Sequence, residues 1–163
     1  MLTLDSFLTF WRTETDICIA LYEKMPPGGL DYRPSPAQRT TLELLKYLSK
    51  GPRNGVLRVA AGDWNATPPA MEMAKDMPAS DFPRLMRLQA IEVERALRAL
   101  NPEALARETM TFPWGETFTK AEALVHYPYR WLTGYRMQLF LYLKAAGATQ
   151  LATPDLWRAP KIS

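Results

Sequence analysis

Apolar residues recur at three- and four-residue steps in four long segments of the chain, and this spacing predicts four amphipathic helices. The segments run from about Thr3 to Met25, from Thr40 onward, from about Ser80 to Leu100, and from Thr119 to Ala146. Proline-rich or glycine-rich stretches separate them, and no alternating strand pattern longer than four residues occurs. We therefore expect one all-α domain, residues 1–163, folded as an antiparallel four-helix bundle with long connections and an extra short helix.

Capping boxes mark the starts of the second and fourth helices. In each, a threonine precedes a glutamate by three residues, Thr40 with Glu43 and Thr119 with Glu122. The threonine oxygen and the glutamate carboxylate each satisfy a backbone N–H that the first helical turn leaves without a partner. We expect Glu43 to serve this cap, although it stands four residues before Tyr47 and on the same helical face.

Proline and glycine predict where the helices are interrupted. Gly51-Pro52 is expected to break or bend the second helix, and a short helix resumes from Val56 to Ala61. Asn101-Pro102 is expected to end the third helix. Residues 62–79 are expected to form a long connection, and residues 148–163 a tail packed along the bundle.

Pro128 falls inside the predicted fourth helix, where a proline removes one hydrogen bond and costs about 3 kcal/mol. Two structures are open. Either one continuous helix bends there, which widens the bundle beside Trp131 and frees the Leu124 carbonyl, or the helix begins at Pro128 and residues 117–127 form a separate turn.

Composition and charge limit the class of protein. The net charge of +3 comes from 20 basic and 17 acidic residues that are interspersed, so no nucleic-acid-binding arm is predicted. No apolar run approaches the ~18 residues that span a bilayer, and the N-terminus lacks the features of a signal peptide. The single cysteine, Cys18, fits a reducing cytoplasm and is expected in the core rather than as a reactive thiol. We expect a cytoplasmic protein that binds neither nucleic acid nor membranes.

The last helix carries the most informative pattern. Its characteristic residues are Arg136, Gln138, Leu139, Tyr142, Leu143, Lys144 and Gly147. They resemble the second histidine-bearing helix of the DinB-like (damage-inducible, YfiT-related) four-helix-bundle family, whose pattern runs His-x-x-x-His-Arg-x-Gln-Leu, an apolar pair, Tyr-Leu-Arg and Gly. The segments Leu30–Pro36 and Phe112–Glu116 also resemble the family, and Trp114 would close the bundle end. The resemblance implies the bundle fold and a homodimer that pairs through its first helices.

The same resemblance implies that the metal-binding side chains are replaced. Trp131 and Tyr135 occupy the two positions where metal-binding members carry histidine, and Tyr47 replaces the ligand from the second helix. An indole has no available lone pair, and a phenol with a pKa of about 10 is protonated at neutral pH. His126, the only histidine, is rotated from Trp131 and Tyr135 by about 140° and 180° in a regular helix. We therefore expect neither a bound metal nor a cofactor.

Two interpretations of Tyr47, Trp131 and Tyr135 are open. An aromatic cluster at helical spacing is typical of core packing, but it is also suited to a small-ligand pocket. Candidates for the charged rim of such a pocket are Arg39, Arg130 and Arg136. Arg136 has the alternative role of a salt-bridge partner between helices.

The favoured function is that of a dimeric binding or structural protein without metal. Trp64, Met71, Met73 and Met77 are expected to supply a partner surface or a cover for the bundle. The alternative is an enzyme, because the metal-bearing relatives that the resemblance implies include thiol transferases and proteins described as hydrolases. His126 is the catalytic candidate, since a pKa of about 6.5 suits acid–base chemistry, although we favour a hydrogen-bonded histidine near the surface. The sequence alone leaves open whether the chain is an enzyme.

Overall fold

A computed structural model describes residues 3–69 and 77–159 of the protein. The elements in chain order are α1 (Leu4–Tyr22), α2 (Thr41–Leu48), α3 (Gly51–Ala61), α4 (Phe82–Arg98), α5 (Pro102–Arg107), β1 (Thr109–Thr111), β2 (Thr117–Thr119), α6 (Lys120–Leu124), a π-helical segment (Val125–Tyr129), α7 (Arg130–Ala145) and α8 (Thr153–Trp157). Two single 3₁₀ turns, Gly29–Asp31 and Ala79–Asp81, precede α2 and α4.

Helices α1, α4 and α7, together with the broken helix α2–α3, form the predicted antiparallel bundle. Helix α1 packs against α4 and α7, α2 packs against α7, and α3 packs against α4. The shared core consists of the inner faces of these helices, and the stripe predicted on α1 is buried at Phe7, Trp11, Cys18 and Leu21. The fold class predicted from the spacing of apolar residues is therefore confirmed.

Both predicted capping boxes are present. The Thr40 hydroxyl accepts a hydrogen bond from the Glu43 N–H at 3.1 Å, and the Glu43 carboxylate accepts one from the Thr40 N–H at 2.7 Å. Thr119 and Glu122 make the same reciprocal bonds at 3.3 and 2.9 Å. The break at Gly51-Pro52 is also confirmed, but α3 begins at Gly51 itself because a proline fits the first turn of a helix.

A short helix and a hairpin follow α4, where only an ending was predicted. The Asn101 side chain accepts a hydrogen bond from the Glu103 N–H at 2.9 Å, so Asn101-Pro102 begins α5 as well as following α4. Strands β1 and β2 then pair antiparallel, with Met110 opposite Phe118. Each strand has three residues, which is too short to produce a detectable alternation.

Helix α6, the π-helical segment and α7 form one uninterrupted helix that contains Pro128. The alternative in which Pro128 begins the helix is therefore wrong. A π-helical turn accommodates the proline because the hydrogen-bond pattern already changes there.

Residues 146–159 lie along the bundle, as predicted for this part of the tail. Helix α8 packs against α1 and α7, its Leu156 is buried, and the Lys24 ammonium lies 2.5 Å from the Asp155 carboxylate. Met77, expected to supply a partner surface or a cover for the bundle, is buried in the core and so offers no partner surface. Met71 and Met73 lie outside the described residues. Within residues 3–69 and 77–159, no helix combines the length and the apolar character that crossing a bilayer requires.

Candidate functional site

Two of the three predicted site rings lie in contact. Tyr47 on α2 and Tyr135 on α7 have ring centroids 4.7 Å apart at an angle of 56°. The guanidinium carbon of Arg39 lies 4.6 Å from the centre of the Tyr47 ring and 5.8 Å from that of Tyr135. Because Arg39 is exposed and both phenols are half-buried, these three residues form one group at the edge of the bundle. We call it the Tyr47–Tyr135 pair with its Arg39 cover.

Glycine at the start of α3 makes room for this pair. A Cβ atom on Gly51 would lie 2.8 Å from Cε1 and Cζ of Tyr47, closer than carbon atoms pack. The break between α2 and α3 therefore does more than turn the chain, because it lets the Tyr47 ring lie beside the backbone of α3.

Trp131 lies in a different group of rings. Its indole is 5.6 Å from Trp64 and 6.2 Å from Tyr127, measured between centroids. It also faces α3 at Gly55, where a Cβ atom would lie 3.3 Å from Cζ3 of Trp131. The three-ring cluster expected from the sequence is thus divided, with Tyr47 and Tyr135 in one group and Trp131 in the other.

The second group closes the end of the bundle. Trp64 packs on Phe112 at 4.8 Å and on Trp114 at 5.6 Å, and Tyr127 packs on Phe112 at 4.3 Å. The Trp114 indole N–H lies 2.9 Å from a Glu116 carboxylate oxygen and 2.7 Å from the Tyr127 hydroxyl. Sequence reasoning found Trp114 but missed Trp64 and Tyr127 as its partners, because Trp64 stands in a connection without periodicity.

The three candidate arginines do not share one rim. Arg136 is almost completely buried on α7, with its Nε 2.5 Å from the Glu14 carboxylate on α1 and its guanidinium 4.9 Å from the Trp157 ring. Its expected place at the rim is wrong, and its alternative role as a salt-bridge partner between helices is the observed one. Arg130 is exposed at the start of α7, beside Trp131. Of these three arginines, Arg39 alone lies over the Tyr47–Tyr135 pair.

His126 is exposed in the π-helical segment and stacks on Phe118, with centroids 4.3 Å apart. Its exposure agrees with the predicted position near the surface, but no hydrogen bond joins the imidazole to another described residue. Cys18 is fully buried, and burial raises the pKa of its thiol, so this cysteine belongs to the core as expected.

Tyr47, Trp131 and Tyr135 do not fit a metal ion. Burial raises the pKa of Tyr47, and the Tyr135 phenol raises it further against the opposing charges of Arg39 and Arg58, so the phenol keeps its proton at neutral pH. The Trp131 indole offers no lone pair. In the part of the chain that the structure describes, no three His, Cys, Asp or Glu side chains converge as ligands would.

Comparison with known proteins identifies the fold. No protein-family model matches the chain, and no curated protein matches it. Among solved structures, the chain is similar to the crystal structure of a DinB-like protein, YjoA, from Bacillus subtilis. The TM-score is 0.63 at 15% sequence identity, over 86% of this chain and 91% of that one. The bundle therefore has the DinB-like fold, and at this identity the likeness extends to the fold alone.

Proposed function

We propose that this protein is a metal-free DinB-like binding protein, active as a cytoplasmic homodimer, whose Tyr47–Tyr135 pair with its Arg39 cover contacts a small anionic ligand. The observation that carries the proposal is the position of one exposed guanidinium over two phenol rings, at 4.6 and 5.8 Å. Trp131 and Arg130 also lie on α7, N-terminal to Tyr135, and we propose that they extend the contact surface.

The groups at this position favour an anion. Burial raises the pKa of Tyr47, so its phenol keeps its proton at neutral pH and can donate a hydrogen bond. Arg39 forms no salt bridge with a carboxylate among residues 3–69 and 77–159. A guanidinium with free N–H donors pairs strongly with a carboxylate or phosphate. An aromatic anion would add stacking on the tyrosine rings.

Isothermal titration calorimetry with benzoate, and with benzamide as its uncharged counterpart, tests the proposal. We expect benzoate to bind more tightly than benzamide, and Arg39→Gln to abolish the difference. Arg95→Gln provides the matched control, because Arg95 is an exposed arginine on α4, outside this site. Equal binding of benzoate by the wild type and by Arg39→Gln would contradict the assigned site.

Three further measurements separate this proposal from the enzyme alternative. Elemental analysis that finds about one tightly held transition-metal ion per chain would overturn the metal-free proposal. Binding and turnover of glutathione, mycothiol or bacillithiol would favour the thiol-transferase alternative. Light scattering coupled to size-exclusion chromatography tests the homodimer, which a monomer mass at micromolar concentration would contradict.

A further inference from the structure

A groove lies between residues 32–38 and residues 134–145 of α7, and none of Arg39, Tyr47 and Tyr135 lines it. Its volume is about 690 Å³, within the range of roughly 300–1,000 Å³ that small-molecule sites occupy. Its walls include Tyr32, Pro34, Gln38, Gln138, Leu141 and Tyr142. We call it the Tyr142 groove.

One wall of the Tyr142 groove carries a hydrogen-bonded pair of polar side chains. The Gln138 side-chain amide N–H lies 2.6 Å from the Tyr142 hydroxyl oxygen, and Tyr142 is only 3% exposed. Tyr32 packs edge-on against Tyr142 at 5.5 Å and holds the phenol in place. Gln138 and Tyr142 are two of the residues that give α7 its characteristic sequence pattern, and the structure places them together on this groove.

This pair has unused hydrogen-bonding capacity. The Tyr142 hydroxyl accepts from Gln138, so its own proton and the Gln138 carbonyl oxygen have no partner among the described residues. The opposite orientation of the amide would leave the Gln138 N–H and a Tyr142 lone pair instead, so one donor and one acceptor remain in either case. The Gln38 side-chain carbonyl oxygen accepts a hydrogen bond from the Ser35 hydroxyl at 3.1 Å. Its N–H₂ group is left as a second donor.

The remaining lining is apolar and uncharged. Leu141 is 55% exposed, Met137 and Pro34 flank it, and none of the groove-lining residues is Asp, Glu, Lys or Arg, although these types make up 23% of the chain. The neighbouring Lys144 is directed elsewhere, with its ammonium 5.5 Å from the centre of the Phe140 ring. A charged ligand would lose hydration in this groove without gaining a partner charge.

We infer that the Tyr142 groove binds a neutral small molecule that consists of an apolar body and an amide group. The amide donates to one member of the Gln138–Tyr142 pair and accepts from the other. The apolar body lies against Leu141, Met137 and Pro34. The inference does not rest on the proposed anion site, because Arg39, Tyr47 and Tyr135 do not line this groove.

Chemical-shift mapping on ¹⁵N-labelled protein with N-acetyl-L-leucinamide tests the inference. We expect the amide resonances of residues 32–38 and 134–145 to shift. Tyr142→Phe removes one hydrogen bond to the ligand and should weaken binding about fivefold. The matched control is Tyr22→Phe, because Tyr22 is a half-buried tyrosine that packs on Phe82 and does not line the groove.

A second pair of variants tests the apolar wall. Leu141 and Ile91 are equally exposed, at 55% each, but only Leu141 lines the groove. Leu141→Ala should weaken binding of N-acetyl-L-leucinamide, and Ile91→Ala should leave it unchanged. The carboxylate N-acetyl-L-leucine should bind about tenfold more weakly than the amide, because no Lys or Arg lines the groove.

Four results would overturn the inference. These are equal binding by Tyr142→Phe and the wild type, equal binding of the carboxylate and the amide, shifts confined to other residues, and no binding at millimolar ligand. A dimer that Leu141→Asp converts to a monomer would show that a second copy covers the groove, and would likewise overturn the assignment to a small molecule.

Discussion

The Arg136 guanidinium lies 2.5 Å from the Glu14 carboxylate, and this ion pair joins α7 to α1 inside the bundle. Both side chains are largely removed from solvent, with 3% and 11% of their surface exposed. Trp157 from α8 covers the guanidinium. Each ion therefore depends on the other, because water cannot replace a lost partner at a buried position. The pair ties the two helices and the C-terminal segment together.

Removal of one ion should cost more than removal of both. Arg136→Met leaves Glu14 buried without its partner, and we expect the free energy of unfolding to fall by about 3 kcal/mol. The double variant Glu14→Leu/Arg136→Met should recover much of this loss, since Nη1 of Arg136 already lacks a hydrogen-bond partner among the described residues. Urea denaturation followed by circular dichroism measures both. Arg95→Met on the surface of α4 serves as the control, and a double variant less stable than Arg136→Met would contradict the argument.

Glu14 should also make stability depend on pH. Burial raises the pKa of Glu14 above its ordinary value of 4.5, and the charge of Arg136 only partly opposes this. Between 4.5 and the raised value the folded state binds more protons than the unfolded state, so the contribution of Glu14 to stability falls as pH rises through this window. The difference in free energy of unfolding between the wild type and Glu14→Gln should therefore decrease from about pH 4.5 upward. Urea denaturation at a series of pH values measures this difference. An increase of the difference over the same range would refute a raised pKa for Glu14 in the folded state.

Gly55 is expected to be intolerant of a side chain although it lies inside a helix. A Cβ atom there would lie 3.2 Å from Cβ of Pro128 and 3.3 Å from Cζ3 of Trp131. Neither neighbour moves easily, since Pro128 is fixed in the π-helical segment and Trp131 packs on Trp64. Gly55→Ala should destabilise the fold by about 1 kcal/mol, because crowding outweighs the gain in helix propensity.

The matched control for this substitution is Gly134→Ala on α7, where a Cβ atom would meet no atom within 4 Å. That variant should be more stable than the wild type, by up to about 1 kcal/mol. Thermal denaturation of both variants gives the comparison. A gain in stability for Gly55→Ala equal to that for Gly134→Ala would show that the contact between α3 and the π-helical segment is loose.

Introducing imidazoles at positions 47, 131 and 135 should create a metal site on this scaffold. In the triple variant Tyr47→His/Trp131→His/Tyr135→His, two ligands stand four residues apart on α7, and the third, on α2, faces position 135, where the Tyr47 and Tyr135 rings are now 4.7 Å apart. We expect this variant to retain about one zinc ion per chain after dialysis, measured by elemental analysis. The double variant Trp131→His/Tyr135→His, which lacks the ligand from α2, should retain much less. Equal zinc content in the triple variant and the wild type would mean that the three positions do not converge.

Local signals in the sequence predicted most of the fold. The capping boxes at Thr40 and Thr119 placed the starts of two helices correctly, because the bonds that define them form within four residues. Asn101-Pro102 was interpreted only as the end of a helix, since the residues that follow one helix are the same types that begin another. The hairpin of β1 and β2 was missed because its pairing, and not a sequence period, defines it.

The candidate site was only partly predictable. Spacing and family resemblance identified Tyr47 and Tyr135, which do lie in contact. They could not identify the partners of Trp131 and Arg136, because Trp64 and Glu14 come from remote parts of the chain. Arg136 follows Tyr135 directly, but one step along a helix turns a side chain by about 100° and so directs it into a different interface.

The π-helical segment Val125–Tyr129 has a consequence for the length of this helix. A π-helical turn holds one residue more than an α-helical turn, so the loss of a single residue there would convert it to an ordinary turn and leave everything downstream in place. A deletion in α7 before Gln138 cannot be absorbed in this way, because it would rotate each later side chain by about 100°. Gln138 and Tyr142 would then no longer face residues 32–38. A one-residue deletion is therefore expected to be tolerated in the π-helical segment, and to disrupt the packing of the helix when it falls in α7.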